Sequence, residues 1–540
     1  MAYDGVSMVA AQKARADRAW TQNGAWNKLY QDAYDYAIPM RKPGGGGISK
    51  QVADRLFDMT APTSAMHLAG TLQRLLFSQP PALVAGALVK QALAMEGPDG
   101  AKKLQRLERE LEKTGNFIYP FMEAGDLSTA THEMCIDLGV GTGFVIPMRG
   151  TASQPIIFFA PPADEVALAG DAYGRTTLAS WKRNAEKAAL LEAFPKGNFS
   201  EAFVQGAKGT GANVEVCLYQ DFWQLPDGRW QFAAYLDREC HEWITSEITR
   251  TKPFASPRYY RVAGEIRGRG PILLAMPSIK TVNKAQELAL KSAAIQMLGI
   301  WGYRAASGFN PDTAAQSPGA FWAMQSTGGI MGPDVARLDP AAGRLDVATM
   351  VIEGMQQQIR DGLMDNRLAP ATGTPRSASE IAAQLQQNAN IHLGGFMRLW
   401  REVHPDIVPR CAEILHSFGY LRGLMDFNEL IVGVGIRSPM AASIAAEQIG
   451  NIAKYAELVT AFVGPQKLPE HLMIDDTLDD IAEGLQVPKL RVPDSEQRAQ
   501  IREALQQQMQ QAQLAEAATK AAPQMAAGAM RMVEGGRQAA

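Results

Sequence analysis

Residues 8 to 38 show the apolar and polar pattern of a helix, and its apolar members are rich in aromatics: Trp20, Trp26, Tyr30, Tyr34 and Tyr36. Pro39 and the "PGGGG" run stop it. Helical patterns return over residues 49 to 78 and 101 to 138. The period then changes. "FVIPMRG", "PIIFFAP", "NVEVCLYQDFW" and "RWQFAAYL" are short β-rich runs, and "LPDG" between the last two signals a hairpin. The chain is therefore expected to be α+β and mainly helical, with a β-rich subdomain over residues 143 to 262.

A second helical stretch is expected from Ser278 to Leu298, entered through the rigid turn "GRGP". Lys280, Lys284, Glu287 and Lys291 follow spacings of 4, 3 and 4, so they form one narrow charged stripe. Ala285, Ala289 and Ala293 line roughly the opposite side and let another helix approach closely. The stripe is then a surface for water or for a polyanion. Residues 299 to 345 are too rich in Gly and Pro for long regular elements, yet they contain Trp301, Phe309, Phe321, Trp322 and Met324. That composition predicts a small compact insert whose aromatics form either a private core or an exposed binding patch. Helix resumes over Asp346 to Met364, where Val347, Val351, Met355 and Ile359 recur every fourth residue. Two helices of similar length around a compact insert should lie antiparallel, as a stalk.

After the stalk, "DNRLAPATGTPRSA" lacks the periodicity of a packed element and presents Arg367 and Arg376 near its ends. "SASE", Ser377 to Glu380, is a capping box that opens the next helix, which Pro405 and Pro409 are expected to bend or interrupt. From about Pro493 the chain becomes Gln- and Ala-rich, and disorder is expected beyond Pro523.

Composition adds mostly exclusions. At 540 residues two or more packed regions are expected. A net charge of -3 with 20% charged residues excludes a strongly basic DNA-coating protein, so nucleic-acid contact would have to be local. Cys135, Cys217, Cys240 and Cys411 form no CxxC pair, which argues against a zinc ribbon or disulfide framework and for a reducing cytoplasm. Neither a membrane span nor a signal peptide is read. The phosphate cradle GxxxxGK[ST] is missing, which argues against an ATP-driven motor. "GVGTGF", Gly139 to Phe144, superficially has the look of a dinucleotide loop, but it leads from helix to strand, the reverse of the required order, and is read as a tight backbone turn. The histidines lack HExxH spacing, and Cys411 and His416 fall on different sides of a helix. No metal, cofactor or catalytic site is expected, although carboxylates distant in sequence could still meet in the fold.

Read in order, "WNKLYQDAYDYAIP", "LFDMTAPTSAMHLAGTLQRLLFSQP", "DLGVGTGFVIP", "GRGPILLAMPSIKTVNKAQEL" and "TPRSASEIAAQLQQ" resemble the head-tail connector, or portal, proteins of short-tailed bacteriophages. The resemblance covers roughly residues 15 to 465. It implies a ring-shaped homo-oligomer, a dodecamer in the virion, at one capsid vertex around the channel through which DNA is packaged and ejected. Its implied divisions are a wing over residues 1–277, a first stem helix at 278–298, a clip at 299–345 and a second stem helix at 346–364. A channel loop at 365–376, the rest of the wing at 377–467, and a crown with a tail at 468–540 complete them. Glu353, Asp361 and Asp365 set against Arg360 would keep DNA sliding, and Arg367 and Arg376 would touch phosphate briefly or pair with wing carboxylates. Trp301, Phe309, Phe321, Trp322 and Met324 become candidates for docking a tail adaptor or the terminase packaging motor. Major capsid and scaffolding proteins are further implied partners, with assembly in the host cytoplasm and no membrane. Two other function classes stay open. One is a capsid- or tail-associated enzyme such as a nuclease or cell-wall hydrolase; the other is a tail or minor capsid component without a channel.

Overall fold

The structure is a computed structural model that describes residues 5–41, 55–77, 79–209, 211–237, 242–298, 300–303, 335–338, 345–365, 378–421, 431–435, 439–464, 471–485, 487, 491–493 and 497–512. In chain order the helices are α1 (Gly5–Tyr36), α2 (Thr60–Phe77), α3 (Ala87–Ala94), α4 (Pro98–Ala124), α5 (Leu127–Val140) and α6 (Lys187–Ala193). There follow α7 (Glu201–Lys208), α8 (Pro271–Leu298), α9 (Leu345–Gly362), α10 (Ala378–Ser417), α11 (Pro439–Val463) and α12 (Ile474–Gly484). Strands β1 (Ala82–Ala85), β2 (Ile146–Arg149), β3 (Ile156–Phe159), β4 (Val166–Gly170), β5 (Thr176–Glu186) and β6 (Glu215–Gln224) are followed by β7 (Trp230–Leu236), β8 (Thr245–Thr249), β9 (Ile300–Tyr303), β10 (Val335–Leu338) and β11 (Val432–Gly435). The architecture is α+β, with helix predominating.

The chain forms two compact units, one of Met1–Ser78 with Phe121–Arg422 and one of Gln79–Pro120 with Gly423–Ala540. In the structure β1 pairs antiparallel with β11, Ala82 opposite Gly435, and so draws residues 79–120 to the C-terminal part of the chain. Gly115 of α4 lies against the Pro81 carbonyl, where an added Cβ would come within 2.5 Å, and this closeness holds β1 on the helix.

The first unit is built on the antiparallel sheet β4-β5-β6-β7-β8. Strand alternation sends Val166, Leu168, Ala179, Trp181, Phe222 and Trp230 to one face, against Phe144, Ile146 and Phe254. Further along that face Leu218, Ala234 and Leu236 meet Leu190 and Phe203 of α6 and α7. Ala167, Leu178, Trp223 and Ala233 point the other way, onto Ala19 and Trp20 of α1, and Tyr219 and Tyr235 meet Val9 and Ala16. With both faces covered, the alternating run becomes a buried sheet. Leu225 to Gly228 closes the β6–β7 hairpin, with Gly228 at φ 86, a conformation that glycine adopts without strain.

Helix α10 continues through Pro405 and Pro409, where a bend or an interruption is expected from sequence, and is not interrupted there. The prolines remove backbone donors, but Trp400, Val403, Ile407, Val408, Cys411 and Leu415 are all buried, and their burial outweighs the loss. The carboxylates of α10 hold the crossover that leads toward α8. Glu402 pairs with Arg258 at 3.3 Å, Asp406 with Lys252 at 2.5 Å, and Glu413 accepts from the Arg250 amide at 2.9 Å.

Candidate functional site

Two of the sequence segments singled out above meet at the start of α8. Gly139 and Gly141, at the end of α5 and just beyond it, lie against Gly270 and Gly268, while Gly143 lies against Met134 of α5. A Cβ on Gly141 would fall 2.2 Å from the Gly268 carbonyl, one on Gly268 would fall 2.4 Å from that of Gly141, and one on Gly270 would fall 2.1 Å from that of Gly139. Backbone therefore rests directly on backbone. The Gly270 amide donates to the Val140 carbonyl at 2.7 Å, the Tyr259 amide to Gly141 at 2.9 Å, and the Gly268 amide to Thr142 Oγ1 at 2.8 Å. "GVGTGF" is thus a seat for "GRGP", and its glycines serve close approach.

From this seat α8 starts at Pro271, earlier than the Ser278 expected from sequence. Pro271 suits a first helical position, and burial of Ile272 and Met276 carries the helix past Pro277. Strand β9 follows α8 and pairs antiparallel with β10, which precedes α9; Trp301 of β9 stands opposite Arg337. At the other end Tyr259 Oη lies 3.6 Å from Met364 Sδ, just past α9. The two helices are antiparallel and levelled by one residue. Asn283 Oδ1 of α8 accepts the amides of Phe57 at 2.7 Å and Asp58 at 3.1 Å, while Gln356 Nε2 of α9 donates to Asp58 Oδ1 at 2.7 Å.

The charged stripe divides. Lys280 pairs with Asp32 of α1 at 2.7 Å and lies over the Tyr36 ring. Glu287 bridges Lys291 at 2.5 Å and Lys284 at 2.9 Å, and these bonds hold its carboxyl below the usual range. Both lysine side chains stay more than 60% exposed, so the outer stripe keeps an excess positive charge.

On α9, Glu353, Arg360 and Asp361 are exposed. Asp365 is not. It is 5% exposed, and its Oδ2 accepts from Ser64 Oγ at 2.7 Å, with His67 Nδ1 3.7 Å from Oδ1. Within this chain it ties the end of α9 to α2 and presents no carboxylate to solvent, unlike the free charge expected from sequence. Arg367, Arg376, Phe309, Phe321, Trp322 and Met324 lie outside the described residues.

Buried ionisable groups escaped the sequence reading. Asp137 on α5 is fully buried; Arg41 Nη2 lies 3.1 Å from it, and Nη1 of the same guanidinium lies 3.1 Å from Glu133. Burial pushes Asp137 up to about 7 despite Arg41. Asp221 on β6 accepts from Gln12 at 3.1 Å and from Tyr235 Oη at 2.8 Å, and burial raises it to about 6. His404 stacks on Trp400 with centroids 4.4 Å apart and donates from Nε2 to the Leu76 carbonyl at 2.8 Å; burial lowers it to about 4. The only sequence signal for Asp137 was a carboxylate within the apolar run "CIDLGV". A cleft of about 590 Å³ opens beside this network, lined by Arg41, Glu133, Phe158, Trp181 and Arg183. Arg41 is already spent there on Asp137 and Glu133. Among the described residues, no group of three or more His, Cys, Asp or Glu is placed to hold a metal, and no helix is long and apolar enough to cross a membrane.

A family model described as "Bacteriophage head to tail connecting protein" matches residues 10–492. No curated protein matches the chain. Among solved structures, the chain is similar to one in "Neck of empty GTA particle computed with C6 symmetry", at 10% identity and TM-score 0.31, covering 73% of this chain and 86% of that one. It is also similar to one in "Virion of native gene transfer agent (GTA) particle", at 10% identity and TM-score 0.30, covering 76% and 86%.

Proposed function

The chain belongs to the family of bacteriophage head to tail connecting proteins, and from that premise we propose that it is the portal protein of a short-tailed phage. The family is a structural component of the phage particle rather than a catalytic one. In the proposed role, twelve copies form a ring at one capsid vertex, double-stranded DNA passes through the ring during packaging and ejection, and the ring docks the terminase motor and then a tail adaptor. Contacts with major capsid and scaffolding proteins belong to the same reading. The observation that carries it is the single family match across residues 10–492, which includes both the glycine seat and the helical pair.

Within this role the helical pair is the stem, and residues 365–376 between α9 and α10 are the channel loop. Arg367 and Arg376 are proposed to make short-lived phosphate contacts, repeated around the ring, that retard or retain DNA. Glu353 and Asp361 keep the wall from binding DNA tightly, because affinity grows with each neutralised phosphate. Trp301, Phe309, Phe321, Trp322 and Met324 are proposed to meet the adaptor or motor.

Negative-stain microscopy with mass measurement of the purified chain tests the reading. Rings with a central hole and a mass twelve times that of the 58.5 kDa chain are expected. A chain that stays monomeric at high concentration and under assembly conditions sinks it. In virions carrying Arg367→Ala and Arg376→Ala, ring assembly should persist while late packaging or DNA retention fails; normal packaged length and retention would remove the loop from the mechanism.

A further inference from the structure

The helical pair buries one side of each helix and leaves the other uncovered. Ile279, Val282, Ile352 and Ile359 face inward, whereas Leu288 and Leu290 of α8 are 55% and 52% exposed, and Met350 and Val351 of α9 are 75% and 52% exposed. On α8, Lys284, Leu288 and Lys291 follow spacings of four and three, so a leucine lies between two exposed ammonium groups on one stripe. On α9, Met350, Glu353, Gln357 and Asp361 make the corresponding exposed stripe. Exposed apolar side chains on two neighbouring helices, rimmed by charge, are the kind of surface that marks an interaction site.

Charge and level identify the partner. Lys284 and Lys291 against Glu287 leave the outer stripe of α8 at +1, Lys280 being paired with Asp32, and Glu353 and Asp361 against Arg360 leave the exposed part of α9 at -1. Asn283 and Gln356 share Asp58 and so mark one level. Leu288 lies five residues beyond Asn283, and Val351 five residues before Gln356, so in this antiparallel pair the exposed apolar groups of the two helices stand at one height. Glu353 lies about 3 Å along the axis from the level of Lys284, within a lysine's reach. A rotation about an axis along the pair preserves these heights in every copy.

We infer that the Lys284–Leu288–Lys291 stripe of one copy seats on the Met350–Glu353–Gln357 stripe of the next, in a head-to-tail contact between copies of this chain. Each copy carries both halves on different helices, so the contact is heterologous and closes into a ring when the rotation per copy divides a full turn. The inference rests on the ring reading above and names the contact that would build the ring. Lys284 then meets Glu353 of the neighbouring copy, and Leu288 meets its Met350 and Val351.

The experiment compares the full chain with Lys284→Glu, Glu353→Lys and the combined Lys284→Glu/Glu353→Lys, scoring ring content by mass measurement and folding by circular dichroism and thermal melting. These are exposed side chains: Glu353→Lys is expected to melt as the wild type does, and the Lys284→Glu variants, which also break the surface pair with Glu287, only slightly below it. Each single change should abolish the ring species, and the combined exchange should restore it, because the ion pair re-forms with reversed sign. Rings at wild-type yield from either single variant, or folded monomers from the combined variant that fail to assemble, overturn the inference and leave the ring reading standing. A wild-type chain that forms no ring overturns both. Intact Lys284→Glu rings that lose only affinity for duplex DNA would assign the stripe to DNA and overturn the contact between copies.

Discussion

The two ends of α8 are made of different chemistry. At its start, glycine backbone rests on glycine backbone, and amides of the segment before it bond to the turn after α5. Farther along, its outer stripe is lysine and leucine facing solvent, with Glu287 as the local counter-charge. The first region tolerates no added atom; the second can change side chains without disturbing the fold. Direction of the helical pair is therefore set by backbone shape at its root, and surface chemistry along its length is left free for a partner.

The largest effect is expected where that contrast is broken at the root. Gly270→Ala puts a Cβ 2.1 Å from the Gly139 carbonyl, and because backbone cannot yield as a flexible side chain does, stability should fall by about 3 kcal/mol or more. Thermal melting measures this, and a wild-type melting temperature would show that the seat can open without cost. Asn283→Ala comes next. It strips an acceptor from two amides and a donor from the Arg55 carbonyl in a 6% exposed position, for a loss of about 1 to 3 kcal/mol in urea unfolding.

The root also carries a titrating group, since Asp137 is two residues before Gly139. Its folded pKa, about 7, lies above its ordinary value of 3.8, so between those values the folded chain holds a proton that the unfolded chain has released. Stability contributed by Asp137 is therefore present at low pH and lost as pH rises through about 7, with a slope of at most ~1.4 kcal/mol per pH unit. Asp221 acts in the same direction over a narrower window ending near 6. His404, depressed to about 4, acts oppositely and gains stability as pH rises from 4 toward 6.5. Urea midpoints across pH 5 to 8 should show a fall that Asp137→Asn flattens; an unchanged slope in that variant would assign the fall to other groups.

The smallest effect has the opposite sign and belongs to the outer region. Gly354 lies within α9, is exposed, and has no atom of the described residues within 4 Å of where a Cβ would go. Gly354→Ala should stabilise the isolated chain by about 0.5 to 1 kcal/mol through backbone entropy, read as a raised melting temperature. Destabilisation there would mean that the outer face of α9 is already covered within one chain.

Sequence by itself determined the periodic parts. Alternation from "NVEVCLYQDFW" to "RWQFAAYL" marked β6, the hairpin turn and β7, and four-residue repeats marked α8 and α9, because strand and helix impose their period on neighbours only a few positions apart. It also singled out "GVGTGF" and "GRGP" without pairing them. Tertiary structure decided what depends on residues far apart in the chain. Asp365 reads as one more carboxylate of a polar stretch until Ser64, 301 residues away, takes it into the interior. Pro405 and Pro409 read as bends or breaks of a helix until Trp400 and Val408 are buried around them. Asp137 reads as a polar interruption until Arg41 arrives beside it. In each case a local penalty is known from the residue type, but whether the fold bears it depends on desolvation and close approach, which only distant partners can supply.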